Sequence, residues 1–180
     1  TYKLRCMVSV GFAGGLEPSV KVGDILVYDA VYRANGHTGP DGGLFCHKDL
    51  VQLAAQTSAA NGARVLRLSG VTVPAIVCDT AGKARLAATL PVQAADMESY
   101  WIAQVACHRS IPFLTVRVVS DAAGDTLPSL ERLKQPGGNW SWQRALHYLA
   151  GHPAELARLF SLLGNVRLAR RSLTCYLQSF

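Results

Sequence analysis

The segment IPFLTVRVVSD, residues 111–121, decides the fold of this chain. Its first nine residues are mostly apolar, which is typical of a strand buried on both faces of a parallel sheet. Asp121 follows that strand directly, and ligands of open α/β sheets bind beyond the carboxyl ends of the strands. A desolvated carboxylate is costly unless it is paired or hydrogen-bonded, and sites that use it for chemistry tolerate that cost. The segment therefore predicts a central strand that ends in a candidate functional acid.

Further strands and helices alternate on both sides of this segment. Their apolar periodicity and turn residues predict the following bounds. Extended segments are expected at 6–10, 22–27, 63–72 and 91–95, and helices at 47–61, 79–88, 97–108, 140–150, 153–163 and 166–177. The glycine-rich run 11–15 is expected to turn, and 35–43 is expected to be a surface loop. This alternation predicts one α/β domain over residues 1–180, with a mainly parallel sheet flanked by helices and a helical part at 139–180.

Composition limits the classes of function. Of the 180 residues, 49% are hydrophobic and 17% charged, which favours a globular domain over a disordered chain. The net charge of +6 invites a nucleic-acid interpretation, but no aromatic and basic residues interleave to support one. The five cysteines are odd in number and lack C-x-x-C spacing. They predict reduced thiols in a cytoplasmic protein and no metal site.

Two further motifs accompany the segment that ends at Asp121. SVGFAGGL at 9–16 is followed by VGDI at 22–25, and its glycines let the backbone approach a ligand closely. DMES at 96–99 opens a predicted helix, where Asp96 can act as an N-cap. Arg117 lies within the buried strand and is predicted to form a structural ion pair, because burying it alone would be costly.

These three motifs, in this order, resemble the signatures of the nucleoside phosphorylase and nucleosidase superfamily. The resemblance covers roughly residues 4–125 and implies a three-layer phosphorylase-type fold with a central mixed sheet. The family's first strands have no counterpart here, so we expect the chain to lack them. The glycine run and the helical tail also resemble the hopanoid-biosynthesis branch, which implies removal of adenine from an adenosylated triterpenoid lipid.

The resemblance also implies roles for single residues. Asp121 would protonate the purine near N7 as it leaves, and Ser120 would orient Asp121 or donate to it. Glu98 would accept hydrogen bonds from two ribose hydroxyls, and Met97 would pack against the sugar. The remaining substrate-binding candidates are Ala13, Gly14, Val73 and Asp96. On residue chemistry alone, Asp121 can equally be a turn or cap residue, and Glu98 a first-turn glutamate favoured by the helix dipole.

Several features depart from the family pattern. Phe12 stands where phosphorolytic relatives place a phosphate-binding serine, and Val73 stands near the place of a base-stacking aromatic. Phosphorolysis and hydrolysis therefore both stay open, with inorganic phosphate as the only co-substrate considered and no cofactor expected. An alternative is a catalytically impaired module that binds a nucleoside or a partner.

The C-terminal tail combines leucines with Arg167, Arg170 and Arg171. One interpretation is packing onto the sheet or onto a second copy of the chain in a homo-oligomer such as a dimer. The other is an apolar, cationic surface that admits a lipid tail or makes peripheral contact with an anionic membrane.

Overall fold

The computed structural model describes residues 4–34, 43–128 and 152–180. These parts contain six strands and four helices, whose bounds follow. The strands are β1 (Met7–Gly15), β2 (Ile25–Arg33), β3 (Leu44–Phe45), β4 (Val65–Thr72), β5 (Ala94–Asp96) and β6 (Phe113–Asp121). The helices are α1 (Lys48–Gln56), α2 (Thr80–Thr89), α3 (Ser99–His108) and α4 (Pro153–Ser179).

The six strands form one mixed sheet in the order β3-β2-β4-β5-β1-β6, and β6 also pairs with β2. The pairs β2–β4, β4–β5 and β1–β6 are parallel, whereas β1–β5, β2–β6 and β2–β3 are antiparallel. The mixed sheet flanked by helices is confirmed. Because β2 pairs with both β4 and β6, five of the strands close into a barrel, which the sequence did not predict.

The strand that ends at Asp121 is the most buried element of the barrel. Leu114, Val116, Val118 and Val119 in β6 have no exposed surface, and they pack in one core with the equally buried start of β2. A mostly apolar strand is stable only when both of its faces are covered. The long helix α4 covers one side, where it packs against β6 and β2. The predicted two-face-buried strand is therefore confirmed.

Some predicted bounds were wrong. The glycine run 11–15 is not a turn, because Gly14 and Gly15 pair with β5 on one side and β1 continues alongside β6 on the other. The helices predicted at 153–163 and 166–177 are one continuous helix through Gly164. A helical glycine costs only about 1 kcal/mol, which the buried Ala169 and Tyr176 further along α4 can offset.

Two predicted segments cannot be compared with the structure. The helix at 140–150 lies outside the described residues, as does nearly all of the loop at 35–43. Within the described ranges, no helix combines the length and apolarity required to cross a bilayer, α4 included.

Candidate active site

Asp121 ends β6 with both carboxylate oxygens engaged. The Ser120 hydroxyl lies 2.8 Å from Oδ1 and 3.3 Å from the Ala13 carbonyl oxygen, so the shorter contact favours donation to Asp121. The ammonium of Lys83 donates to Oδ2 at 2.6 Å. Asp121 is 5% exposed and Lys83 is 1% exposed, so the two charges form a buried ion pair. The predicted contact between Ser120 and Asp121 is confirmed.

Lys83 reaches Asp121 from helix α2. Asp79 caps that helix by accepting a hydrogen bond from the Gly82 amide at 2.7 Å, and Lys83 lies in the first turn and a half. Its ammonium also donates to the carbonyl oxygens of Ala122 at 2.7 Å and Asp125 at 3.2 Å. An ammonium has three N–H donors, and here all three have an acceptor.

Gly14 makes room for the Asp121 carboxylate. A Cβ atom at position 14 would lie 2.9 Å from Asp121 Oδ2, closer than real side chains come. The β1–β6 register shifts between Ala13 and Gly14, so that Gly14 pairs with Asp121 itself. The glycine is thus required by the close approach of a side chain. The expected contact of its backbone with a ligand stays a prediction.

A second buried ion pair lies on the same strand. Arg117 Nε is 3.4 Å from Asp96 Oδ2, and both side chains are almost wholly buried. The guanidinium also donates from Nη2 to Ser99 Oγ at 2.7 Å and to Ser9 Oγ at 3.1 Å. The predicted structural ion pair of Arg117 is confirmed, and Asp96 is its carboxylate.

Asp96 also holds the start of helix α3. The N-cap residue of this helix is Glu98, so the predicted N-cap position of Asp96 is wrong. Its Oδ1 accepts hydrogen bonds from the backbone amides of Glu98 at 3.0 Å and Ser99 at 2.8 Å, and from Thr72 Oγ1 at 3.0 Å. With Oδ2 held by Arg117 and Ser99, both oxygens are occupied by protein donors. Asp96 therefore connects Thr72, Arg117 and the start of α3, and its role is structural.

Glu98 and Met97 lie immediately before helix α3. The Glu98 side chain makes no capping hydrogen bond and is 64% exposed, with Oε2 3.9 Å from Arg117 Nη2. Glu98 is the N-cap residue by position, where the helix dipole favours an acid, and its carboxylate accepts no hydrogen bond from the helix. The Met97 side chain is also partly exposed, at 40%.

One cavity of about 490 Å³ brings all of these groups together. This size is in the range of small-molecule sites. Every predicted site residue borders it: Ala13, Gly14, Val73, Asp96, Met97, Glu98, Ser120 and Asp121. The rest of its lining is largely apolar and includes Phe12, Ile76, Val77, Ile102, Leu127 and Leu162. The cavity thus has a polar side with two carboxylates and an apolar side.

Sequence reasoning missed Lys83, Leu127 and Leu162. A signal for Lys83 was present, because it lies three and four residues before the partly buried Leu86 and Ala87, the spacing of one helix face. Leu162 reaches the cavity only because α4 packs back across the barrel, and its sequence carries no sign of that contact.

The cysteines do not form a chemical site. None of the five forms a disulfide, and burial raises the pKa of the Cys46 thiol to about 11, so it is a thiol at neutral pH. Among the residues that the structure describes, no group of three His, Cys, Asp or Glu side chains could hold a metal ion.

The comparisons with known proteins agree with this fold. The profile of the Phosphorylase superfamily matches residues 1–137. The chain belongs to this superfamily. The match covers both ion pairs and most of the cavity lining, whereas all of α4 lies beyond it.

Two curated relatives and one solved structure illustrate the match. The 5'-methylthioadenosine/S-adenosylhomocysteine nucleosidase of Tolumonas auensis is 29% identical over 71% of this chain and 61% of its own length. The enzyme of the same name from Pseudoalteromonas translucida is 31% identical over 68% of this chain and 58% of its own length. The crystal structure of the Campylobacter jejuni nucleosidase of this name has a TM-score of 0.63 and 16% identity, covering 95% of this chain and 68% of that one.

The chain therefore spans about three-fifths of the length of the curated relatives it matches. Because the solved structure is only 16% identical to this chain, it supports the fold and nothing more.

Proposed function

We propose that this phosphorylase-superfamily domain cleaves the N-glycosidic bond of a purine nucleoside. One observation carries the proposal: Asp121 at the end of β6 and Glu98 at the start of α3 border the same cavity, which is of a size to hold one nucleoside. Two carboxylates on separate elements can act on the two halves of such a molecule. The relatives' own names, which specify adenine nucleosides, support the same substrate class.

Asp121 and Glu98 have different tasks in this proposal. When the bond between the sugar and the base breaks, its electron pair leaves with the base, and Asp121 gives a proton near N7. Glu98 accepts hydrogen bonds from ribose hydroxyls, and these bonds strengthen as the sugar becomes cationic. Ser120 holds the Asp121 carboxyl in place, while Met97 and Val73 shape the apolar wall of the pocket.

Water, rather than phosphate, is the nucleophile that the described side chains favour. The two cations on the described lining, Lys83 and Arg117, are both neutralised by buried carboxylates. Phe12 also borders the cavity and offers no hydrogen-bond donor to an anion. We therefore expect free ribose as a product, at a rate that added inorganic phosphate does not raise. Formation of ribose 1-phosphate would favour phosphorolysis instead.

The apolar side of the cavity suits an apolar 5' substituent. Ile76, Val77 and Ile102 meet Leu127 and Leu162 there, so a thioether or a hydrocarbon chain would be desolvated on binding. An adenosylated hopanoid is the largest substrate of this kind, and it would enter from a membrane. The exposed Phe160 and Leu163 lie on the same helix as the exposed Arg167, Arg170 and Arg171, and we propose that this basic face contacts anionic lipid.

The same reasoning covers assembly and location. Val8, Val10 and Phe12 alternate along the outer face of β1 and are about 40% exposed, so we propose that this row packs against a second copy in a homodimer. The five cysteines form no disulfide, which fits a cytoplasmic protein.

The direct test is to incubate the protein with 5'-methylthioadenosine or adenosine and to measure free adenine. We expect Asp121→Asn to lower the rate by about 10²- to 10⁴-fold, the usual contribution of a general acid. Asp49→Asn is the matched control, because Asp49 is an exposed carboxylate in the first turn of α1. Saturable nucleoside binding without adenine release would instead identify a binding module.

The membrane proposal has its own test. Sedimentation with phosphatidylglycerol vesicles is expected to retain the protein and to lose it when Arg167, Arg170 and Arg171 are all changed to Gln. Equal sedimentation of the two proteins would contradict the lipid contact.

A further inference from the structure

Lys83 has an environment that the proposed reaction does not yet explain. Burying a lysine is costly unless its charge is paired, and this one is 1% exposed in the first half of a helix distant in sequence from β6. Its three donors are met by Asp121 Oδ2 and by the carbonyl oxygens of Ala122 and Asp125. Every partner of the ammonium thus belongs to the strand end and loop that carry the proposed acid.

This geometry raises the question of the source of the proton. Asp121 accepts hydrogen bonds from Lys83 at Oδ2 and from Ser120 at Oδ1. Its contact with Lys83 is a buried ion pair, so the group that meets the ammonium is a carboxylate. A carboxylate has no proton to give to a leaving base, and the nearest proton on a described side chain is on the Lys83 ammonium, 2.6 Å away.

We propose that Lys83 is a positioning residue that acts through Asp121: it fixes the carboxyl group and supplies the proton that Asp121 passes to the leaving base. The inference rests on the proposed function. One proton moves from Lys83 Nζ to Asp121 and one from Asp121 to the purine, while the bond between the sugar and the base breaks and its electron pair leaves with the purine. Water adds to the sugar and loses a proton to solvent, and solvent returns one to the neutral amine.

The chemistry of the two cations at the cavity explains why a lysine is found here. A guanidinium does not lose a proton in proteins, whereas an ammonium can become a neutral amine when buried. Arg117 holds its carboxylate permanently. Lys83 can hold Asp121 before the reaction and then release a proton to it.

The test compares two leaving groups. Adenine needs a proton in order to leave, whereas 4-nitrophenolate from 4-nitrophenyl β-D-ribofuranoside leaves as a stable anion. We expect Lys83→Met to lower kcat for adenine release by at least about tenfold, part of the usual general-acid contribution, and to leave nitrophenolate release within about threefold. The matched control is Arg85→Met, an exposed cation two residues along the same helix, with no change expected for either substrate.

A second measurement separates proton supply from charge. In Lys83→Ala, added ethylammonium is expected to restore adenine release, whereas tetramethylammonium, which carries charge but no proton, is not. Lys83→Arg is expected to stay as slow as Lys83→Met. Equal rescue by both cations, or full activity in Lys83→Arg, would reduce Lys83 to an electrostatic role and overturn the inference. Absence of any rescue would overturn it as well.

These results distinguish two failures. If the unaltered protein releases no adenine, the proposed function is wrong. If it releases adenine and Lys83→Met releases it equally fast, only the role of Lys83 is wrong.

Discussion

The barrel has two buried ion pairs that look alike and are built differently. Arg117 pairs with Asp96, and Lys83 pairs with Asp121; all four side chains are nearly inaccessible to solvent. Arg117 is enclosed by Ser9 and Ser99, so its network closes on β1 and on helix α3. Lys83 instead binds the loop that follows β6.

The difference indicates which pair serves the fold and which serves chemistry. The oxygens of Asp96 are all taken by donors that join β4, β6 and α3. Among the described side chains, two hold Asp121 at the edge of the cavity, and one of them can lose a proton. The Arg117 pair therefore connects secondary structure, and the Lys83 pair presents an acid.

Two glycines of β1 repeat this division. A Cβ atom at Gly11 would lie 2.3 Å from Arg117 Nη1, and one at Gly14 would lie 2.9 Å from Asp121 Oδ2. The first glycine gives space to the structural pair and the second to the acid. β1 thus carries glycine where each charged group approaches the backbone.

Matched carboxylate changes give the largest expected contrast. Asp96→Asn should lower the free energy of unfolding by about 3 kcal/mol. Asp96 accepts five hydrogen bonds and is the nearest carboxylate to a buried guanidinium, whereas the exposed Glu98 lies 3.9 Å from that guanidinium. Asp121→Asn should cost less stability, since Lys83 keeps two carbonyl acceptors, yet it should lose the most activity. Urea unfolding and adenine release, measured on both variants, check this. Equal stability losses would remove the distinction between the pairs.

The two glycines sharpen the contrast at a smaller scale. Gly14→Ala should reduce adenine release by about tenfold or more, because the Asp121 carboxylate must move, and a shift of about 1 Å can cost that much. Gly11→Ala should mainly lower stability, because the guanidinium it displaces is locked in a network. If Gly14→Ala retained full activity, the close approach of the carboxylate would have no catalytic meaning.

Ser120→Ala tests the weaker of the two contacts to Asp121. A single neutral hydrogen bond contributes about 1 kcal/mol, so adenine release should fall only about fivefold. Stability should hardly change, because Ser120 is only half-buried and its substitution leaves no charge unpaired. An effect as large as that of Asp121→Asn would show that Ser120, rather than Lys83, controls the acid.

The sequence predicted most of the polar side of this site. Glu98, Ser120 and Asp121 belong to short motifs at the ends of strands or helices. The positions of those ends can be predicted from the local periodicity of the sequence. The sequence predicted that Arg117 has a carboxylate partner but not which one. That partner is Asp96, and its position depends on how β5 lies in the sheet.

The remainder depends on contacts between distant segments. The pairing of β2 with β6, which closes the barrel, joins residues about 90 positions apart and leaves no mark on either strand's alternation. Lys83 and Asp121 are separated by 38 positions, and a lysine in a short helix is ordinarily exposed. The prediction of a turn at the glycine run 11–15 was wrong because the strands that pair with it on both sides are remote in sequence.

The central claim is that Asp121 and Glu98 act on opposite halves of one bound nucleoside. A crystal structure of the Asp121→Asn variant with 5'-methylthioadenosine tests it most directly. We predict purine N7 within hydrogen-bond distance of the side chain at position 121, and a ribose hydroxyl within hydrogen-bond distance of Glu98. A nucleoside bound elsewhere, or one that reaches only one of these two side chains, would contradict the account.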